Sequence, residues 1–308
     1  MIPAHAPSPL DQLLNSSNVE SLAHLATTGY FNAEQVRLNL QKRFNSLASP
    51  FFSNGTILQE ILRTCDAVIS GSSALHFLLP ITTTVWKPKD LDLYVPHRYM
   101  KTLTMRLQNL GYQQLPPNTE SSYSSPHILA VHKFVLRENI IDVIESSTDA
   151  SFSPIFLFDS TAVMNFISAD EIFSAYPNLT LKYKSLLNPH SLYNNRYSRT
   201  KLSHLQKYLD RGFKFIPCQE SHTSSSTCRS LGRTLTDPSC LWINLHSGLR
   251  VPQLPANIFH QYGTLDVEWR LGGHICGSDC FLLPRVHVIE DKSQVFLLFH
   301  PYLLTLTY

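Results

Sequence analysis

Two aspartates one residue apart, Asp90 and Asp92, stand in the run Lys89-Asp90-Leu91-Asp92-Leu93-Tyr94-Val95, downstream of a Gly71-Ser72 pair that follows Val68-Ile69-Ser70. On an extended strand successive side chains alternate faces, so both carboxylates project to one side while Leu91, Leu93 and Val95 point into a core. Like charges at that spacing repel each other unless a cation sits between them. Hard oxygen donors suit Mg²⁺ or Mn²⁺, and Mg²⁺ in particular is usually held by one or two carboxylates plus the phosphates of a substrate. The residues therefore point to a metal and phosphate site.

A third acid, Asp142, lies in Ile140-Ile141-Asp142-Val143-Ile144-Glu145. A carboxylate flanked by Ile and Val needs a partner or a metal, or its pKa must rise until it is neutral. The preceding run, Ile128 to Leu136, reads as a strand, and Arg137-Glu138-Asn139 reads as a short hairpin turn. That hairpin delivers Asp142 to a sheet face beside Asp90 and Asp92.

At these residues the chain resembles the nucleotidyltransferase superfamily related to DNA polymerase β, and fungal proteins built on that core. The pattern is a strand ending in Gly-Gly or Gly-Ser, a helix, a strand with Asp-x-Asp or Asp-x-Glu, and a later strand with a third carboxylate. Gly71 and Ser72 match the first element, Asp90 and Asp92 the second, and Asp142 the third; the likeness covers roughly residues 54 to 190. Seventeen residues separate Ser72 from Asp90, more than the family usually has, so an insertion is expected around Pro80 to Pro88. The resemblance implies transfer of a nucleoside monophosphate from an NTP to a hydroxyl, with two divalent ions on Asp90, Asp92 and Asp142. It also implies that backbone N–H groups at Gly71 and the Ser72 hydroxyl meet the nucleotide phosphates at a helix N-terminus. Asp-x-Asp also serves glycosyltransferases of another fold, and a degenerate copy of this core would serve as a nucleotide-binding or protein-interaction module. Both remain alternatives.

The elements that must position these groups can be read from patterning. Val36, Leu38, Leu40 and Phe44 form the apolar stripe of a helix entered through an Asn32 cap, and further helices are expected at about 56–64, 73–79, 97–110, 159–174 and 198–211. Gly111 closes the helix expected at 97–110. After Cys218 the pattern turns to short strands at 240–245, 265–269 and 286–289. The expected fold is α+β: a mixed sheet flanked by helices, with a helical segment over 1–52, the core over 53–190, and a basic helix and β-rich, Cys-containing region over 191–308.

Residues 182 to 214 carry eight lysines and arginines against one aspartate, with tyrosines interleaved. In enzymes of the resembled family a helix after the core supplies cations to the triphosphate, and Arg199 and Lys201 are the expected pair here. A solvated basic face, or contact with a single-stranded RNA acceptor, fits the same composition. His274, Cys276 and Cys280 resemble half of a structural zinc site, whereas buried free thiols are the ordinary reading of the whole group Cys218, Cys228, Cys240, Cys276 and Cys280. The hydrophobic share of 43% excludes bulk disorder, and a formal charge of +2 gives no global field that implies nucleic acid. With no apolar run of roughly 18 residues and no basic-then-apolar leader, the expectation is an intracellular protein of cytoplasm or nucleus, off the membrane.

Overall fold

A computed structural model describes residues 8–28, 33–116, 125–188, 199–221, 232–251, 264–272 and 285–290. Four helices come first: α1 (Pro9–Ser16), α2 (Val19–Thr27), α3 (Ala33–Ala48) and α4 (Gly55–Thr64). Side-chain oxygens of Ser8, Asn18 and Asn54 accept from the first-turn N–H groups of α1, α2 and α4, satisfying donors that a helix end leaves unpaired. The expected Asn32 cap lies outside the described residues.

Strand β1 (Val68–Ser70) then runs into α5 (Gly71–Leu78), and a long connection leads to β2 (Asp90–Pro96). Helix α6 (Met100–Asn109) precedes β3 (Gln113–Gln114) and the hairpin β4 (Ile128–Leu136) and β5 (Asn139–Ser146). Gly111, at φ +91°, makes the turn that closes α6. Next come β6 (Asn165–Ile167), β7 (Glu171–Ser174), the single turn α7 (Pro177–Thr180), β8 (Lys184–Ser185), α8 (Arg199–Asp210) and β9 (Lys214–Phe215). The C-terminal strands are β10 (Arg233–Thr234), β11 (Leu241–Asn244), β12 (Thr264–Arg270) and β13 (Arg285–Glu290).

The molecule is α+β, built on an eight-stranded mixed sheet of order β11-β7-β6-β1-β2-β5-β4-β3 with helices against it. Strands β10, β12 and β13 form a separate three-stranded sheet in the C-terminal region. Within the large sheet every neighbouring pair is antiparallel except β2 and β5, which run parallel. Among the described residues no helix is long and apolar enough to cross a membrane.

The two sheet faces carry different cores. Ile69, Leu91, Leu93, Val95, Ile141 and Val143 join apolar residues of α1 to α4 and α6 in one cluster. The other face, at the Tyr94 and Ile144 end of β2 and β5, packs against an aromatic cluster that includes Phe156, Phe166, Phe173, Trp242 and Trp269. Phe156 and Trp269 stack there with ring centroids 4.1 Å apart. The helices of 1–52 share their core with the large sheet, and β11 of the C-terminal region forms an edge of that sheet.

The helix expected over 159–174 is instead the hairpin β6 and β7. Ser168 makes its turn, the hydroxyl accepting from the N–H groups of Asp170 (3.3 Å) and Glu171 (2.9 Å). Ile167 and Ile172 enter the helix-side core while Phe166 and Phe173 enter the aromatic one, a period of two that only a strand pair can serve. Leu38, expected in the buried stripe of α3, is 51% exposed, because the packed face of the helix runs along Val36, Leu40, Phe44 and Ala48.

One buried cation ties the N-terminal helices to the end of α5. Arg43 donates from Nη2 to the Leu14 and Ser17 carbonyls (2.8 Å each), from Nη1 to the Leu79 carbonyl (3.3 Å) and from Nε to Asn39 Oδ1 (2.9 Å). Removing the guanidinium strands those carbonyls without water, at about 1–3 kcal/mol for each acceptor left unpaired. Arg43→Ala is therefore expected to lower the urea-unfolding free energy by at least about 3 kcal/mol, whereas Leu38→Ala stays within about 0.5 kcal/mol.

Candidate functional site

Register decides whether three acids distant in sequence can act together. In the parallel pair β2 and β5, Asp92 lies opposite Asp142, and Asp90 lies two residues along on the same face. Neighbouring strands are about 4.8 Å apart and alternate residues about 6.8 Å along a strand, so one patch of sheet presents all three carboxylates. Leu91 and Leu93 point to the opposite face, into the helix-side core.

Strand β1 completes the patch, with Ser70 paired to Asp92 across the antiparallel ladder. The next residue, Gly71, has φ +62°, and a Cβ on it would fall 2.1 Å from Asp92 Oδ2. Only glycine lets the chain turn into α5 directly beneath that carboxylate. Ser73 Oγ donates to the Asp90 carbonyl (3.1 Å), tying the first turn of α5 to the start of β2.

The carboxylates disfavour one another's charge. Burial, then the neighbouring Asp90 and Asp142, push Asp92 up to about 8. Asp142 is also raised, by burial first, although the nearby Lys133 ammonium opposes the shift. Lys133 sits opposite Asp142 on β4, with Nζ 3.5 Å from Oδ1. Asp142 Oδ1 is buried, and the Lys133 ammonium is its polar neighbour.

Cations reach the patch from the far end of the basic helix. Arg211 Nη1 donates to Ser72 Oγ (3.2 Å), and the Arg211 guanidinium lies 3.8 Å over the Trp86 ring. The charges of Asp90 and Asp92 act on Lys207, and that of Asp90 acts on Arg211. Arg199 and Lys201, the expected pair, occupy the first turn of α8, roughly 9 Å or more along the axis before Lys207. Their side chains lie outside the described residues. The sequence signal for the pair that does arrive is the i, i+4 spacing of Lys207 and Arg211, which puts both on one side of the helix end. Lys133 and Trp86 had no comparable signal: one is a lysine in a strand, the other sits in the connection between α5 and β2.

The residues fit a divalent cation. The donors are all hard carboxylate oxygens, and the charged forms of Asp92 and Asp142 are disfavoured, by burial first and by neighbouring acids second, without a further counter-ion. Among the described residues no three His, Cys, Asp or Glu side chains already stand together as a cation cage. Such a cage is not needed for Mg²⁺, which takes one or two carboxylates and completes its shell with substrate phosphates and water. The zinc expectation has no described cluster behind it: His274, Cys228, Cys276 and Cys280 lie outside the described residues, and Cys218 and Cys240 are buried in the aromatic core. Of the two histidines near the strands, His132 pairs with Glu145 (2.8 Å) and His76 packs edge-on against Trp86. No family model, curated protein or solved structure matches the chain.

Two outcomes follow from this geometry. From about pH 4 to about pH 8 folded Asp92 keeps a proton that the unfolded chain has lost, so stability falls as pH rises through that window, by up to about 1.4 kcal/mol per pH unit. Asp66 and Glu171, both raised to about 7, contribute a fall of the same sign, so the comparison with Asp92→Asn isolates Asp92. Thermal unfolding of Asp92→Asn is expected to be flatter from pH 5 to pH 8, and MgCl₂ at pH 8 is expected to raise the wild-type midpoint more than the mutant's. The second outcome concerns Gly71→Ala, expected to cost on the order of 1–2 kcal/mol from the left-handed backbone alone. It should also displace the Asp92 carboxylate, and so should abolish the Mg²⁺-dependent rise in midpoint.

Proposed function

We propose that the chain is a metal-dependent nucleotidyltransferase of the DNA polymerase β-like superfamily, moving a nucleoside monophosphate from an NTP to a hydroxyl acceptor. The observation that carries this reading is the Asp92–Asp142 register directly beside the Gly71 turn, with Asp90 on the same face. An acid patch alone would repel a nucleotide. Here Arg211 and Lys207 border it on the side of Ser72, an arrangement suited to a polyphosphate whose far end needs cations and whose reacting end needs carboxylate-held metal.

In this reading each side chain has a definite task. The N–H groups at Gly71 and Ser72 and the Ser72 hydroxyl bind the β- and γ-phosphates, where the N-terminus of α5 favours negative charge. Arg211 and Lys207 hold the same end and fix the leaving group in line. Asp142 accepts the proton of the acceptor hydroxyl as its oxygen bonds to the α-phosphorus and the bond from that phosphorus to the β-bridging oxygen breaks, releasing pyrophosphate. Asp90, Asp92 and Asp142 would hold the divalent cations, which when bound would supply charge stabilisation for the attacking and leaving oxygens.

A second reading, a nucleotide-binding module without catalysis, draws support from Lys133, whose ammonium already faces Asp142. The two readings part in one experiment. Incubation of the full chain with each α-labelled NTP, MgCl₂ or MnCl₂ and a cell extract is expected to transfer label and release pyrophosphate. Asp92→Ala and Asp142→Ala are expected to lower transfer by at least about 100-fold, the scale of a lost acid–base group. NTP binding without transfer, unaffected by Asp90→Asn and Asp92→Asn, supports the module instead.

A further inference from the structure

The connection between α5 and β2, residues 79–89, brings a tryptophan to the edge of the candidate site. Thr84 fixes its bend, Oγ1 donating to the Pro80 carbonyl (2.7 Å), and Thr83 Oγ1 lies 3.5 Å from the Tyr183 hydroxyl. Past the bend the chain leaves Val85 94% exposed and turns the half-buried Trp86 inward. Trp86 is held edge-on by His76 of α5, with ring centroids 5.1 Å apart at 77°. Burial, then Arg211, lowers the His76 pKa, so a neutral imidazole braces the indole near neutral pH.

The exposed face of that indole carries Arg211. The guanidinium carbon is 3.8 Å from the Trp86 centroid and 5.4 Å from that of Tyr208, and Nη1 reaches Ser72 Oγ at 3.2 Å. Among the described residues the Ser72 contact is the one hydrogen bond the guanidinium makes, which leaves most of its five N–H donors for an anion. An arginine on a helix end normally loses rotamer entropy when a ligand orders it. A planar partner removes much of that cost beforehand, because stacking fixes the plane in which the donors fan out. Among the described residues the buried Trp86 indole N–H also has no acceptor, so none of them holds the ring through a hydrogen bond independently of Arg211.

We propose that Trp86 is a positioning residue that presents the Arg211 guanidinium, stacked and beside Ser72, to the polyphosphate of the nucleotide. The role rests on the nucleotidyltransferase reading of the site and assigns a task to the connection that lengthens the spacing between Ser72 and Asp90. It predetermines which residue change is tolerated. Phenylalanine preserves a stacking face and alanine does not; lysine at 211 keeps the charge and loses the plane.

The test is titration of the full chain with inorganic tripolyphosphate and with ATP, each with MgCl₂, followed by calorimetry and by tryptophan emission. Trp86→Ala and Arg211→Lys are expected to weaken tripolyphosphate on the order of tenfold, the scale of one desolvated cation–π contact, and Trp86→Phe by no more than about threefold. The other two tryptophans, Trp242 and Trp269, lie in the aromatic core, so wild-type emission is expected to shift on saturation while that of Trp86→Phe does not. Should Trp86→Ala fail to fold by circular dichroism, Trp86→Phe, Arg211→Lys and the emission shift decide the matter. ATP and tripolyphosphate binding unchanged in Trp86→Ala or in Arg211→Lys overturns the positioning role and leaves the nucleotide reading standing. No binding of either ligand to the wild type overturns both.

Discussion

Three carboxylates held on one face of a sheet repel one another, and the rest of the structure supplies what keeps them there. The parallel pairing of β2 and β5 puts Asp92 opposite Asp142, and the helix-side core fixes that pairing, because Leu91, Leu93, Ile141 and Val143 fill it from the other face. A slip of one residue would turn the acids into the apolar core and the leucines toward solvent. The cost of clustered charge is thus carried by hydrophobic packing on the reverse side of the same strands, and it adds to burial, the larger cause, in raising the pKa of Asp92. Such stored electrostatic strain is common where a site waits for a cation or a substrate.

The second face divides along the strands. Toward the C-terminal ends of β2 and β5, Tyr94 and Ile144 enter a dense aromatic cluster, while toward their N-terminal ends the same face carries Asp90, Asp92 and Asp142. The aromatic cluster anchors β6, β7 and β11, and β6 in turn pairs with β1, the strand that leads into the Gly71 turn. The backbone beneath Asp92 is therefore held from both sides of the sheet. Helix α8 closes the arrangement through Tyr208, which packs with Leu75 of α5 and with Leu79 just after it, and carries Lys207 and Arg211 to the acids' border.

Much of this was legible in the residues. The two-residue period of Asp90, Asp92 and the intervening leucines gives both the strand and its faces, and an acid between Ile141 and Val143 signals an unusual environment. The hairpin β4 and β5 follows from its alternation and turn. What the sequence does not encode locally is how elements meet. The parallel join of β2 to β5 is a long-range choice, and nothing at Asp142 itself shows which strand it will face. Helix α8 was legible as a helix, but the cations that approach Ser72 depend on how it docks, which brings Lys207 and Arg211 rather than the first turn to the acids. Residues 159–174 misled because a short hairpin with apolar residues on both faces imitates the apolar density of a buried helix. Trp86 was hidden for a different reason, since a tryptophan in an irregular connection has no period to read.

The central claim is that Asp90, Asp92 and Asp142 hold a divalent cation jointly with a nucleotide. Its most direct measurement is titration of the protein with Mn²⁺ by electron paramagnetic resonance, with and without a non-hydrolysable ATP analogue, comparing wild type with Asp92→Asn and Asp142→Asn. The expected result is Mn²⁺ binding that tightens with the analogue and is lost in both variants while their circular dichroism is unchanged. Mn²⁺ bound equally by wild type and variants, or not bound by the wild type in the presence of the analogue, would contradict it.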